Sequence, residues 1–231
     1  MKIPYKIRTT YAAIKTIIMW IPFILANPQR IKFFPEWILS FWPGRAAYKD
    51  GLPWITFEAR DWLGSFLTGD MRVFEWGSGG STLFLVKRVK NLISLEHNPE
   101  WYEKIGPLIK EKGFSNCQYI LKEPKPGSNY LSSSKRYAGL SFEEYCRAID
   151  SYPDNFFDLV LVDGRARNFC VYLAMKKVRS KGFIFVDDTH GSGYTEGMEA
   201  LKNWQRKDFR GPKPYVRNFY QTTVWQKPAL S

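Results

Sequence analysis

The sequence predicts an α/β fold, a doubly wound and mostly parallel sheet covered by helices on both faces and preceded by a basic, apolar N-terminal extension. Three observations carry this. Short apolar runs bounded by Gly, Pro or Asn alternate with segments of helical periodicity from residue 55 to residue 225. One run, FFDLVLV at residues 156–162, is nearly all apolar, as a strand covered on both faces must be. The runs end in polar residues, and open parallel sheets gather their ligands beyond the carboxyl ends of their strands.

Taken in order, residues 55–67 place Ile55, Ala59, Trp62, Leu63 and Phe66 on one helical face, so a helix precedes the first strand. MRVFEW at 71–76 reads as that strand and runs into the glycine turn 77–80, with a helix over 81–89. NLISLE at 91–96 is a second strand, and Pro99 opens a helix through residue 109. Residues 116–121 form a third strand, followed by a Pro/Gly/Ser loop, 123–137, of a length that usually serves function. Ser141 and Glu144 have capping-box spacing for a helix through 149. After the strand at 156–162 come a helix over 166–178, a strand at 182–186, a helix over 195–205 and a terminal strand at 219–225.

The chain has 231 residues, 45% hydrophobic and 24% charged, which suits a globular domain with a substantial core. Cys117, Cys146 and Cys170 are odd in number and widely spaced, so neither a disulfide framework nor a CxxC knuckle is expected, and a reducing cytosol fits best. With two histidines, His97 and His190, a structural zinc site is not expected either. A net charge of +12 favours anionic partners: RNA, acidic lipid or phosphorylated small molecules.

That charge is concentrated at the start, where Lys2, Lys6, Arg8, Lys15, Arg30 and Lys32 meet no acid in the first 35 residues. The apolar run IIMWIPFILA at 17–26 would reach about 15 Å as a helix, half of a roughly 30 Å hydrocarbon core, and Pro22 should break its ladder. Three readings of this extension stay open: a segment on an anionic membrane surface through residues 1–29 or at a partner interface, a lid on the following domain, or a secretory signal with a poor cleavage site. The aromatic, Pro- and Gly-punctuated stretch 33–54 reads as an irregular connector. The expected division is an extension over 1–53 and a ligand-binding domain over 54–231.

The chemistry collects at the strand ends: Glu75 before Gly77-Ser78-Gly79-Gly80, then Glu96-His97, Asp163-Gly164-Arg165 and Asp187-Asp188-Thr189-His190. A bare glycine turn after strand one and an acid after strand two suit a nucleoside, because the backbone can be approached closely and a carboxylate accepts from both ribose hydroxyls. Thr82 stands where GxGxxG needs its last glycine, and Glu75 would repel a pyrophosphate but attract a sulfonium and an ammonium. S-adenosylmethionine fits this better than NAD.

Through VFEWGSGGST, LISLEHNPEWY, FDLVLVDGRAR, GFIFVDD and GPKPYVRNFYQTTVW the chain resembles class I S-adenosylmethionine-dependent methyltransferases over about residues 54–228. The resemblance implies a seven-stranded sheet whose last strand is antiparallel. It also implies that Glu75, Gly77, Ser78 and Gly79 hold the methionyl part, that Glu96 holds the ribose and that His97 flanks the adenosine, with Asp163 at the same site. Ser81 departs from the third glycine of GxGxG.

Asp163, Asp187 and Asp188 should converge, and like charges so close need neutralising. Two solutions remain open. A divalent cation such as Mg²⁺ would use all three as ligands, an arrangement similar to that of catechol-type O-methyltransferases. Alternatively Arg165 and Arg167 would neutralise them, with Asp187 or His190 as general base. The expected function is methyl transfer to an oxygen of a small-molecule or glycan-like acceptor. RNA methylation is the alternative, though no Asp/Asn-Pro-Pro-aromatic motif or appended RNA-binding module is present; a non-turnover scaffold at a membrane or nucleoside is the third reading.

Overall fold

The computed structural model describes residues 5–191 and 195–229, with side chains from Thr16 onward. The basic residue Lys2 of the extension lies outside them. Elements run in the order α1 (Tyr5–Ala26), α2 (Phe33–Ser40), α3 (Ala47–Asp50), α4 (Phe57–Phe66), β1 (Arg72–Trp76), α5 (Gly80–Leu85), β2 (Asn91–Glu96), α6 (Pro99–Glu111) and β3 (Cys117–Leu121). Then come β4 (Lys125–Pro126), β5 (Leu140–Ser141), α7 (Glu143–Arg147), β6 (Phe157–Val162), α8 (Arg167–Lys177), β7 (Val178–Val186), α9 (Thr195–Ala200), β8 (Gln205–Pro212) and β9 (Phe219–Gln226).

Seven strands form one sheet in the order β3-β2-β1-β6-β7-β9-β8, parallel except for β9, which is antiparallel to both neighbours. This is the expected doubly wound sheet with its reversed last strand. Alternation along β1 and β6 divides the core. Phe74, Trp76, Val160 and Val162 pack with α7 and α8, while Val73, Leu159 and Leu161 pack with α4 and the region of α5. All six residues of β6 are buried.

Four local expectations fail for identifiable reasons. Helix α1 continues through Pro22, whose ring is on the exposed face; Trp20 and Phe23, anchored in the core on either side of it, hold the helix across the missing hydrogen bond. The stretch after Phe33 is helical rather than irregular, because Phe33 and Trp37 are one turn apart and pack on Trp20 and Phe57, with Phe33 stacked on Phe57 at 5.4 Å. Ser141 belongs to β5 and Glu144 pairs with Lys125, so no capping box forms. The helix predicted to reach 205 stops at Ala200, and β8 follows as an edge strand; five of its eight residues are exposed polar or charged ones that hide any apolar period, and Phe209 carries the contact to the core.

The extension is bound to the C-terminal hairpin. Trp20 and Phe23 meet Phe219 edge-on at 5.8 and 5.4 Å, and the Phe23 ring occupies the space beside Gly211 where a Cβ would sit. Ion pairs Arg30–Glu58, Lys32–Asp61 and Arg60–Glu36 fasten it to α4.

Candidate active site

A cavity of about 430 Å³ opens beyond the carboxyl ends of β1, β2, β6 and β7. Gly77 and Ser78 line it after β1, Glu96 and His97 after β2, Asp163, Gly164 and Arg165 after β6, and Asp187 and Asp188 after β7. The sheet therefore brings together most of the residues that the sequence singled out. Gly77 sits at φ +93°, and a Cβ there would lie 2.6 Å from the Gly164 nitrogen, so the two turns can touch only through bare backbone. Trp101 fixes the loop from α6 by donating its indole N–H to the Ser78 carbonyl at 2.8 Å.

Glu75 does not line this cavity. It is fully buried under the loop, where its Oε2 accepts from the Thr82 hydroxyl at 2.6 Å and the Ser94 hydroxyl at 2.5 Å, while its Oε1 has no partner. Thr82 Oγ1 in turn accepts from the Gly79 N–H at 3.0 Å, so the residue replacing the last glycine of GxGxxG braces the turn. Burial, opposed by these hydroxyls, pushes the Glu75 carboxyl up to about 7. A raised acid pKa means that the folded state holds a proton which the unfolded chain releases. The stabilisation is complete below the ordinary value of 4.5 and is lost as pH rises through about 7. Glu75→Gln should remove this slope: chemical denaturation from pH 5 to 8 should show the variant gaining on the native chain, to a ceiling of roughly 3 kcal/mol. Parallel pH profiles would refute the assignment.

Glu96 is buried and saturated. Oε2 accepts from the Ser78 N–H at 3.2 Å and hydroxyl at 2.8 Å, and Oε1 accepts from the N–H groups of His97 and Asn98 at 2.8 and 2.9 Å. Burial by itself would raise its carboxyl, but the contact from His97 and the other hydrogen bonds hold it below its ordinary value, as an anion. The Ser78 hydroxyl also meets Tyr119 Oη at 2.7 Å, so it keeps a partner if a diol takes its place on Glu96. His97 lines the cavity with Nε2 3.0 Å from Tyr137 Oη, at the end of the loop expected to carry function.

The carboxylates Asp163, Asp187 and Asp188 offer oxygens all within 4.8 Å of one another. Their neutralising partners are Lys213 and Arg167. Lys213, buried, places Nζ 2.9 Å from Asp187 Oδ2 and 2.7 Å from Asp188 Oδ1; Arg167 donates to Asp163 Oδ1 at 3.0 Å and to the Asp187 carbonyl. The Thr222 hydroxyl completes Asp187 at 2.5 Å. Of the two arginines expected here only Arg167 serves: Arg165 lies over the Tyr137 ring, 5.6 Å from its centre. Burial would lower the Lys213 ammonium, but the three carboxylates outweigh it and raise it. Asp188 is held below its ordinary value because Lys213 outweighs burial, whereas burial and Asp187 raise Asp163.

The three carboxylates are close enough together for the expected Mg²⁺, but an ammonium and a guanidinium already lie on one oxygen each of Asp187, Asp188 and Asp163 and neutralise them without a cation. His190 is exposed, stands edge-on to Tyr220 at 5.1 Å and is not among the lining residues.

Lys213 was not legible in the sequence as a site residue, and neither were its supports. It follows β8 in a segment that residues 37–54 hold by four bonds: Trp54 Nε1 to the Pro214 carbonyl at 2.8 Å, Ser40 Oγ from the Tyr215 N–H at 2.9 Å, Asp50 Oδ2 from the Tyr215 hydroxyl at 2.6 Å, and Trp37 Nε1 to the Val216 carbonyl at 2.9 Å. Tyr215 takes φ +66°, a strained value that those bonds sustain.

No protein-family model matches the sequence, and no curated protein matches it. Solved structures do. An rRNA methylase from Streptococcus thermophilus superposes with TM-score 0.53 at 12% identity, covering 75% of this chain and 95% of its own. A Streptococcus mutans protein named as a methyltransferase and solved in complex with SAH gives 0.51 at 9%, covering 73% and 96%. A SAM-dependent O-methyltransferase from Thermotoga maritima gives 0.52 at 10%, covering 77% and 67%. The chain has the class I methyltransferase fold.

Proposed function

We propose that the protein transfers the methyl group of S-adenosylmethionine to an oxygen of a small-molecule or glycan-like acceptor. The observation that carries this is the meeting of the bare turn at Gly77 and Ser78 with the anionic Glu96 and with Asp163 in the lining of one cavity. These residues fit the cofactor: the turn has no room for a Cβ, and Glu96 is a charged acceptor for a diol. Bound, S-adenosylmethionine supplies an electrophilic methyl on a cationic sulfur.

In this reading Gly77, Ser78 and Gly79 seat the methionyl end by backbone, Glu96 exchanges the Ser78 hydroxyl for the ribose, and His97 with Tyr137 closes the adenosine side. Asp163 receives the acceptor's hydroxyl proton as oxygen attacks, a role suited to a carboxyl raised by burial. Asp187 and Asp188, tied to Lys213, position that region without exchanging protons. Alignment and water exclusion supply the rest of the rate. The three free cysteines suit a reducing, cytosolic compartment. RNA is the second acceptor reading, favoured by the +12 charge and by the likeness to an rRNA methylase.

Calorimetric titration with S-adenosylhomocysteine should give 10- to 100-fold weaker binding in Glu96→Ala, since a hydrogen bond to a charged group contributes about 1.5 to 3 kcal/mol. Equal affinity in the variant would remove Glu96 from the site, and no binding by the native chain would remove the cofactor. Turnover on phenols, sugars and bulk RNA separates the acceptors; methylated RNA alone would select the second reading, and a chain that binds but never turns over is a scaffold.

A further inference from the structure

Among the described residues twelve large apolar side chains are exposed, and nine of them fall between Ile17 and Trp42. Such a concentration on a water-soluble surface calls for a partner. It arises because α1 is apolar all round over residues 17–26. Its inner face, Trp20 and Phe23, is buried on the hairpin, while Ile17, Ile18, Ile21 and Leu25 point away, Leu25 being 76% exposed. Helix α2 repeats this arrangement, with Phe33 and Trp37 inside, Leu39 outside, and Trp42 beyond its end 70% exposed. The domain therefore covers one side of the extension and leaves the other uncovered.

Charge selects the occupant. The first 35 residues hold six basic side chains and no acid. Glu58 and Asp61 pair with Arg30 and Lys32, and Glu36 with Arg60, which leaves Lys2, Lys6, Arg8 and Lys15 as the remaining basic residues of this stretch. A second copy of this face would bring like charge to like charge, and no helix among the described residues is long and apolar enough to cross a membrane. An acidic surface with an apolar interior satisfies both features, since basic side chains are drawn to its headgroups while apolar ones enter beneath them. We propose that the outer face of α1 and α2 lies in the plane of an anionic lipid bilayer. Through Trp37, which donates to the carbonyl of the cavity-lining Val216, the same α2 helix is joined to the rim of the site.

Flotation of the full chain with vesicles of phosphatidylcholine, with and without phosphatidylglycerol, tests this. The chain should float with the anionic vesicles, less so as salt rises, and should remain behind with the neutral ones. Combined Ile21→Glu, Leu25→Glu and Leu39→Glu should weaken binding at least tenfold while leaving the melting temperature and S-adenosylhomocysteine affinity unchanged; Lys6→Ala, Arg8→Ala and Lys15→Ala together should flatten the salt dependence. Absence of flotation at low salt overturns the proposal, as does equal binding by the glutamate variant. A concentration-dependent dimer in sedimentation that the glutamates abolish, without vesicle binding, would assign the face to a second copy. None of these readouts depends on which acceptor the cavity takes.

Discussion

Lys213→Ala is expected to lower stability by about 3 to 5 kcal/mol and to eliminate turnover, the largest effect of any single substitution away from the aromatic core. The reason is the asymmetry of buried ion pairs. Forming one gains little, but removing a partner leaves a charge without compensation, and here Asp187 is 1% exposed with Asp163 and Asp188 beside it. Without the ammonium, the Asp187 carboxyl, already raised by burial, rises further, and Asp188 loses the contact that holds it below its ordinary value. Protonation of Asp187 then favours the folded state below the ordinary carboxylate range, and this gain disappears as pH rises through its raised value. The deficit relative to the native chain should accordingly be greatest at pH 8 and shrink toward pH 5, as read by urea denaturation. Lys213→Met, which keeps the packing, should share the loss, and Asp187→Asn added to it should recover part. A loss under about 1 kcal/mol with no pH dependence would mean that the carboxylates are neutralised by other means.

Gly77→Ala follows in size. Its Cβ would meet the Gly164 nitrogen at 2.6 Å, the Gly164 Cα at 2.7 Å and the Asp163 carbonyl carbon at 2.8 Å, all backbone atoms that no rotamer change can move aside. The φ of +93° adds strain of about 1 to 3 kcal/mol. The turn after β1 and the turn after β6 must then separate, and both walls of the cavity shift. Affinity for S-adenosylhomocysteine should fall at least 100-fold, about 2.7 kcal/mol, together with the melting temperature. Gly139→Ala is the control, since it also has positive φ, +77°, but nothing lies within 4 Å of its Cβ. It should show the strain alone and keep its affinity. Identical behaviour of the two variants would deny any role to the contact between the turns.

The order of strands and the strand-end residues were legible because both depend on local pattern. β1, β2 and β6 are short apolar runs with an abrupt polar end, so Glu96, Asp163 and Asp187 could be placed at the cavity from spacing alone. Glu75, expected at the cofactor, lies under the loop and does not line the cavity. Its register partner on β2 is Ser94, and side chains at one register position share a face, so the two meet beneath the loop. Lys213 was invisible for a different reason. In GPKP it resembles a charge in a solvated loop, and what makes it a site residue is burial by partners at Trp37, Ser40, Asp50 and Trp54, about 160 positions earlier. Arg165 and Arg167 looked equivalent, but only Arg167 starts α8 at a position that looks back on Asp163. β8 was missed because an edge strand needs no apolar period.

The bonds from residues 37–54 to the 214–216 segment join residues separated by 160 to 179 positions. During synthesis the amino-terminal helices leave the ribosome long before the hairpin that covers them, at roughly 5 to 20 residues per second. For that interval Trp20, Phe23 and Trp37 have no Phe219 to rest on, and Asp187 and Asp188, made some 25 residues earlier than Lys213, have no ammonium between them. The cavity thus becomes a site only when the two ends of the described chain have met. A polypeptide cut short before β8 is a different object: a sheet lacking its reversed strand, an uncovered aromatic cluster and a group of carboxylates without their ammonium.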